Sequence, residues 1–419
     1  MNNKQTVLVP KLRFPEFVST GEWQAYRLDE IADRLTEKVG DRQLTTLSIS
    51  AGSGFVSQAE KFSRDISGKQ YENYIILKKG DFSYNKGNSK KFPQGCVYEL
   101  KEYEKAAVPN AFISFHFKDN FVSSFYKGYF ENNFHGKQLM KFITSGARMD
   151  GLLNINPSDF FSITLPTPFD KKEQQKIADC LSSLDELIIA EDNKIDALKS
   201  HKKGLMQKIF PVEGKTMPEW RFPKFRDNGE WTTNELGDLG AIVTGKTPNT
   251  ADETLWNGDI QFVTPTDIAE NKYQLETQRT VANTSKIKVL PANSIMFTCI
   301  ASVGKMAISV YPCITNQQIN TVIPFKTVYG EYVYYALLKK STNIKATLAN
   351  STLPIINKTE FSKILLAVPE QQEEQLKIAD CLSSLDVLIS EQAKKIEELK
   401  NHKKGLMQGL FPTIEEVSE

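Results

Sequence analysis

The chain has 419 residues, 40% of them hydrophobic and 25% charged, which is the composition of a globular protein with more than one domain. Its 52 basic and 51 acidic residues leave a formal net charge of +1, so binding to nucleic acid through overall positive charge is excluded and a local basic patch would be needed. Five cysteines without a CxxC pair indicate neither a disulfide framework nor a cysteine zinc site, and the lack of a signal-like N-terminus or of an apolar run near about 18 residues predicts a cytoplasmic protein without a membrane segment.

The first elements along the chain are an arm, residues 1–12, which is expected to be loose, and a short segment that occurs twice. Residues 13–17 read RFPEF, and residues 221–225 read RFPKF, 208 positions later. Gly-Glu-Trp follows both copies. The recurrence indicates a tandem duplication of one unit, and such repeats decide the fold prediction.

Residues 13–165 are predicted to form the first globular body, with short strands and helices interleaved as in a mixed α/β domain. The expected strands are 44–49, 74–77, 81–84 and 111–117, and the expected helices are 26–37 and 134–144. A linker, 212–220, leads to a second body at 221–366. Its expected strands are 260–264, 294–300, 306–310 and 320–324, with a helix at 332–338.

A long helical stretch follows each body, at residues 166–211 and 367–412, and an acidic tail closes the chain at 413–419. Residues 176–211 and 377–412 are identical at 25 of 36 positions. In both copies aliphatic residues recur in steps of four and three, which is the seam of a coiled coil. The seam residues are Ile177, Leu181, Leu184, Ile188, Ile195, Leu198 and Leu205 in the first copy, and Ile378, Leu382, Leu385, Ile389, Ile396, Leu399 and Leu406 in the second.

Two matching seams in one chain predict that the helices pack on each other, antiparallel, with pseudo-twofold symmetry. The alternative is that each long amphipathic helix lies on its own body. Two polar residues interrupt each seam at equivalent places, Glu191 with Gln392 and Lys202 with Lys403. In this interpretation the helix pair is a spacer between two bodies.

Motifs for covalent chemistry are scarce. Residues 240–247 fit the P-loop pattern GxxxxGK[ST], but Pro248 and Asn249 follow at once, where a nucleotide-binding loop should open a helix. No HExxH, GxSxG or cysteine–histidine spacing is present, and no metal ligand set is expected. Together these observations favour a chain that recognises a ligand without catalysing a reaction.

Two polar stretches with lysines are typical of DNA recognition, because lysines contact phosphates while amide and hydroxyl side chains can read base edges. The alternative is that both are solvated basic loops. The candidates in the first body are Tyr84, Lys86, Asn88, Ser89, Lys90, Lys91 and Asn110. Those in the second body are Thr244, Lys246, Thr247, Asn249, Thr298, Ser302, Lys305, Asn316, Gln317 and Gln318.

With these features in place, the chain resembles the DNA specificity subunit of type I restriction–modification enzymes. The resemblance rests on the duplicated helices, their Glu-Gln lead-ins at residues 173–174 and 374–375, and their Phe-Pro exits. It also rests on the Thr-Gly-Lys-Thr-Pro segment at 244–248 and the Trp-Asn-Gly-Asp-Ile segment at 256–260. The first body departs from this pattern, since residues 47–54 lack the Gly-Thr-Pro opening.

The resemblance implies a non-catalytic component of an adenine-N6 DNA methyltransferase complex, associated with the nucleoid. Two target-recognition domains would each read one half of an asymmetric, bipartite site in double-stranded DNA. Two modification subunits, which use S-adenosylmethionine, would dock on the helices, and two restriction subunits using ATP and Mg²⁺ could join them. The chain itself would bind no cofactor.

Three other interpretations remain open on sequence alone. One is a stand-alone sequence-specific DNA-binding protein, which needs no methyltransferase partner. The second is a P-loop ATPase, which requires nucleotide binding that depends on Lys246. The third is a purely structural coiled-coil scaffold, which would leave two unlike bodies without a role.

Overall fold

The computed structural model describes residues 8–63, 68–87, 92–143, 152–269, 271–283, 287–348 and 355–412. Two compact units divide the chain: the first runs through Glu191 and resumes at Lys395, and the second is Asp192–Lys394. The division falls inside both long helices, so each unit contains one globular body and a part of each helix. None of the described helices combines the length and apolar composition that crossing a membrane requires.

The first body alternates short strands and helices and leads into the first long helix. Its elements are β1 Gln24–Arg27, α1 Leu28–Ile31, β2 Ala32–Arg34, β3 Leu47–Ser50, β4 Gly54–Ser57, α2 Gln58–Phe62, β5 Ile75–Lys78, β6 Phe82–Asn85, β7 Cys96–Glu99, β8 Lys105–Val108, β9 Ile113–Phe117, α3 Ser123–Glu131, α4 Phe134–Leu139, α5 Pro157–Phe161, β10 Thr164–Thr167 and α6 Lys171–Ile209.

An antiparallel sheet of order β2-β9-β6-β7 forms the centre of the first body. Its inward side chains are aromatic: Phe117 stacks on Tyr126 with ring centroids 4.1 Å apart, and Phe82 packs on Phe115 at 5.5 Å. Strand β1 pairs with β10 beside this core, which brings both ends of the body next to the start of α6. The predicted mixed α/β class is therefore confirmed.

The second body repeats this design, and its longest strand, Trp256–Val263, has eight residues. Its elements are β11 Thr232–Glu235, α7 Leu236–Leu239, β12 Gly240–Thr244, β13 Trp256–Val263, β14 Tyr273–Gln274, β15 Arg279–Val281, β16 Ile295–Thr298, β17 Met306–Ser309, β18 Cys313–Thr315, β19 Ile319–Pro324, α8 Gly330–Leu348, α9 Lys358–Ser362, β20 Leu365–Val368 and α10 Gln372–Leu410.

The two bodies share a sheet order that their sequences do not reveal. The second body has β12-β19-β16-β17, followed by β14, where the first has β2-β9-β6-β7. A second sheet, β15-β13-β18, packs beside it. The pair β11–β20 matches β1–β10. The duplication therefore extends through the bodies as well as the helices.

Each repeated lead segment is fixed to its own long helix by a buried ion pair. The Arg13 guanidinium donates through Nε and Nη2 to Glu173, both at 2.8 Å. Arg221 makes the same fork to Glu374, both at 2.7 Å. These four side chains are at most 8% exposed. The repeated Arg and Glu thus form one structural device, because removing either partner would leave a buried charge alone.

The glutamine after each of these glutamates fixes the helix start. The Gln174 side chain accepts from the Val122 amide and donates to the Pro168 carbonyl, both at 2.9 Å. The Gln375 side chain does the same with Tyr329 and Pro369, both at 2.8 Å. The Glu-Gln lead-ins therefore serve architecture rather than chemistry.

Within each unit the two long helices run antiparallel. In the first unit, Asp185 of α6 pairs with Lys403 of α10 at 2.6 Å, while Glu191 further along α6 pairs with Lys395 earlier in α10. In the second unit, Lys202 pairs with Asp386. All fourteen predicted aliphatic seam residues are buried or half-buried. The polar seam positions Lys202 and Lys403 are thus ion-pair donors to the facing helix.

Most predicted elements of the bodies are confirmed with shifts of one to four residues, but the helix predicted at 332–338 continues ten residues further, to Leu348. Two other predictions are wrong. Residues 26–37 are not one helix, because only Leu28–Ile31 makes a helical turn between strands β1 and β2. The arm is not loose throughout, because Leu8 is 3% exposed and forms a bridge with Trp23. Helix 134–144 is present as α4 with a 3₁₀ turn to Phe142, and residue 144 lies outside the described residues.

Candidate DNA interface

Three segments of the second body meet at one edge of its main sheet. Because neighbouring strands are antiparallel, the ends of β12 and β16 and the starts of β17 and β19 lie at the same edge. The segments at this edge are 244–250, 298–305 and 315–318, and we call them the second loop edge. They carry all the candidate residues predicted for this body.

Main-chain hydrogen bonds hold the three segments together. The Lys246 amide donates to the Thr315 carbonyl at 2.8 Å, and the Cys299 amide donates to the Gln318 carbonyl at 2.8 Å. The Thr247 hydroxyl donates to the Gln317 side chain at 2.7 Å. The second loop edge is therefore a preorganised surface.

Glycine is required at position 245 because segments 244–250 and 315–318 approach each other closely. A Cβ added there would lie 2.1 Å from the carbonyl oxygen of Asn316, so no side chain fits. Residues 240–244 form strand β12, and residues 245–250 continue without the helix that a P-loop opens. The P-loop interpretation is therefore wrong: the glycine allows loop–loop packing and does not cradle a phosphate.

Most of the predicted polar side chains at this edge face solvent. Lys246, Asn249, Ser302, Lys305 and Gln317 are exposed, as is Thr244, whose hydroxyl donates to the Asn320 side chain at 2.7 Å. Thr247 and Gln318 are half-buried. The exposed group offers two ammonium groups together with amides and hydroxyls.

Two candidates at this edge are structural, and their prediction as contact residues is wrong. Thr298 is fully buried, and its hydroxyl donates to the Ser302 carbonyl and accepts from the Lys305 amide. Asn316 is 8% exposed and exchanges hydrogen bonds with Gln318 at 3.0 Å. Both side chains use their hydrogen-bonding groups within their own turns and are not available to a ligand.

The first body has a corresponding edge, which we call the first loop edge: residues 84–87 at the end of β6 and 109–112 before β9. Asn110 is exposed in the turn before β9, as Gln317 is before β19. Lys86 is half-buried, and its carbonyl accepts from the Leu153 amide at 2.9 Å. Asn88, Ser89, Lys90 and Lys91 lie outside the described residues.

Tyr84 is a further correction. Its side chain is fully buried, stacks on Phe160 with centroids 4.5 Å apart, and donates its hydroxyl to the Gln94 carbonyl at 2.7 Å. Burial also raises the pKa of Tyr84 well above its ordinary value. The tyrosine therefore supports the loop that follows it and does not contact a partner.

Two cationic residues that belong to no sequence motif lie beside the second loop edge. A pocket of about 180 Å³ is lined by Lys246 and by the exposed Lys288, with Thr244 and Thr315 between them. Arg279, at the start of β15, is exposed as well. Isolated cations outside any motif leave no signal in a single sequence, and only the fold brings them beside the loops.

Two cysteines beside this edge are buried. Burial raises the pKa of the Cys299 thiol to about 12 and that of Cys313 to about 11, so both stay protonated and unreactive at neutral pH. The part of the chain that the structure describes contains no cluster of three histidine, cysteine or acidic residues suited to a metal ion. In the part of the chain that the structure describes, this edge presents exposed lysines and polar side chains.

Comparison with known proteins shows to which family this chain belongs. The sequence pattern of the type I restriction modification DNA specificity domain matches residues 20–200 and again residues 228–401. The chain belongs to the type I restriction–modification DNA specificity family. Each match covers one globular body with most of the long helix that follows it, so each body together with that helix is one specificity domain.

Similar proteins of this family come from distant organisms. The MjaIX specificity subunit of Methanocaldococcus jannaschii is 30% identical over 195 residues, which cover 44% of this chain and 45% of that protein. The HindI specificity subunit of Haemophilus influenzae is 32% identical over 149 residues, 34% of this chain and 32% of that protein. The chain thus matches less than half the length of these two relatives.

Solved structures share the fold of the two specificity domains. A specificity (S) subunit from M. genitalium superposes with a TM-score of 0.59 at 16% identity, covering 97% of this chain and 100% of that chain. A chain from a type I restriction–modification complex superposes with a TM-score of 0.57, covering 93% and 97%. At this identity the similarity concerns the fold alone.

Proposed function

We propose that this chain is the specificity subunit of a type I restriction–modification system, in which each loop edge reads one half of an asymmetric, bipartite site in double-stranded DNA. The observation that carries the proposal is one sheet order repeated in two bodies with different loops at the same edge. Two bodies with the same sheet order but different loops would suit two half-sites of different base sequence.

The charges at the second loop edge support DNA as the ligand. Lys246 and Lys288 line one pocket, and Lys305 is exposed at the same edge. Exposed amide and hydroxyl groups of Asn249 and Ser302 accompany them. Lysines would contact phosphates and fix the register, while the polar side chains would meet base edges.

The long helices offer a surface for partner subunits. In the first unit Leu187 and Ile189 of α6 are 41% and 59% exposed, and in the second unit Val387 and Leu388 of α10 are 55% and 48% exposed. Leu187 and Leu388 are equivalent in the repeat. Exposed aliphatic groups at equivalent positions suit two copies of one partner. We assign this partner as the modification subunit, which would methylate adenine with S-adenosylmethionine; restriction subunits using ATP and Mg²⁺ would join some assemblies.

The test is co-purification of the chain from its host with and without changes at these positions. The double substitution Leu187→Asp with Leu388→Asp should abolish recovery of a methyltransferase while duplex binding is retained. Asn193→Asp, which adds the same charge at an exposed polar position of α6, is the matched control and should retain the partner. A wild-type chain that binds specific duplex DNA but recovers no methyltransferase would favour the alternative, a stand-alone DNA-binding protein.

A further inference from the structure

One arginine beside the second loop edge is held in place by an aromatic ring. The guanidinium carbon of Arg279 lies 3.5 Å from the ring centroid of Trp256. Trp256 is 8% exposed and packs edge-on against Phe262 at 5.2 Å, in a small core with Val281 and Ile314. A cation on a fixed indole face is attracted to the ring and loses little further freedom on binding.

Within the described residues, the side-chain donors of this arginine have no hydrogen-bond partner. Arg279 is exposed, and among the described residues none hydrogen-bonds to its side chain or forms an ion pair with it. A guanidinium carries five N–H donors in a planar fork and remains charged at any physiological pH. An oriented, unpaired fork of this kind is prepared for an external acceptor.

Both Trp256 and the Arg279 that stacks on it lie beside the second loop edge. The Trp256 Nε1–H donates to the carbonyl of Asn249 at 3.1 Å, which joins the ring to segment 244–250. Arg279 pairs across β15–β13 with Phe262, and Phe262 pairs with Ile314 of β18. The next residue, Thr315, accepts the hydrogen bond of the Lys246 amide. Arg279 therefore stands about two strand spacings, roughly 10 Å, from Ile314 on the side of the loops.

We propose that Arg279 is a specificity-determining residue that reads a guanine in the half-site bound by the second body. The inference rests on the proposed function and deepens it. The O6 and N7 atoms of guanine form a pair of acceptors in the major groove that matches the guanidinium fork, and this is a common specific contact. Phosphate contact needs only a point charge, which Lys246, Lys288 and Lys305 already supply.

The experiment selects duplexes from a randomised library with the purified chain and compares Arg279→Lys and Arg279→Ala with wild type. Arg279→Lys keeps the charge but loses the planar fork. We expect both variants to lose preference for guanine at one position, by about 5- to 150-fold, with the other positions unchanged. The control is Arg226→Ala, which removes an exposed arginine directly after the repeated lead segment and should leave every preference intact.

Two results would overturn the proposal. In the first, Arg279→Ala weakens all duplexes equally and lowers the salt slope by about one unit, which is the behaviour of a phosphate contact. In the second, every position keeps its wild-type preference in both variants. Failure of the proposed function itself looks different, because the wild-type chain would then select no bipartite sequence at all.

Discussion

At the residue scale, one buried histidine should make the stability of the first unit depend on pH. His135 of α4 is 1% exposed and faces the rings of Tyr84 and Phe130. Neither ring nitrogen has a hydrogen-bond partner among the described residues. Burial lowers the pKa of His135 to about 3, so the imidazole is neutral in the folded chain at any pH near neutrality.

We predict that this histidine costs stability below about pH 6.5. The unfolded chain takes up a proton near pH 6.5 and the folded chain only near pH 3, so the free energy of unfolding should fall by up to about 1.4 kcal/mol for each pH unit between these values. His135→Leu should remove this contribution, whereas the exposed His402→Leu should not. Urea unfolding at pH 7.5, 6 and 5 measures this pH dependence of the free energy of unfolding. The same pH dependence in wild type and in His135→Leu would show that His135 is not its source.

The sequence located the loops but could not tell which of their side chains face outward. Thr298 and Asn316 occur in polar, turn-rich stretches, yet each bonds to its own loop. Tyr84 lies within strand β6, and its burial was not identifiable without the fold. Arg279 and Lys288 belong to no motif, and strand pairing alone brings them to the second loop edge.

At the element scale, the long helices are joined by reciprocal ion pairs. Asp185 pairs with Lys403 in the first unit, and their repeat equivalents Asp386 and Lys202 pair in the second. Such exchange of partners is typical of an interface with twofold symmetry. Burial alone would raise the pKa of Asp185, but hydrogen bonds from Lys127 and Lys403 outweigh it and hold the pKa below its usual value.

Breaking one pair should loosen the helix packing of its unit. The Lys202 and Asp386 side chains are 15% and 25% exposed, so solvent screens them little. Lys202→Met should lower the free energy of unfolding by about 1 to 3 kcal/mol, because Asp386 would lose a charged hydrogen bond in a half-buried site. Lys203→Met, at the exposed neighbouring position, should change it by less than about 0.5 kcal/mol. Equal urea midpoints for the two variants would show that the pair is not stabilising.

Strong periodicity made the long helices predictable, while short elements were placed less well. Both helices begin about five residues before the repeated stretch, at Lys171 and Gln372. The segment 26–37 was mistaken for a helix because Leu28 and Ile31 have helical spacing over a single turn, and strand pairing takes the residues on either side. In an element this short, the pairing of strands in the tertiary structure overrides the local sequence pattern.

At the scale of the whole molecule, the duplication is deeper than the sequence indicates. The repeated segments and helices are recognisable by eye, but the common sheet order of the two bodies is not. Sheet order depends on pairings far apart in sequence, which local sequence patterns do not show. Under the proposed function, the loops that differ between the bodies would read the two halves of an asymmetric target.

If the helix pair sets the distance between half-sites, lengthening it should lengthen the DNA spacer. Each long helix has 39 residues. Inserting one heptad into each, after Ala190 in α6 and at the equivalent place after Glu391 in α10, keeps the seam continuous and adds about 10.5 Å of helix. The spacer should grow by about 3 base pairs at 3.4 Å each. A heptad in α6 alone is the control and should disrupt the pairing. An unchanged spacer with both insertions would refute the ruler model.

As the proposed specificity subunit, this chain would confer DNA sequence specificity on an adenine methyltransferase. A map of adenine methylation across the host genome, with the gene present and with it deleted, tests this role. Deletion should remove methylation at one asymmetric, bipartite motif, and restoring the gene should restore it. Methylation that is identical in the two genomes, in a host where the methyltransferase is expressed and active, would contradict it.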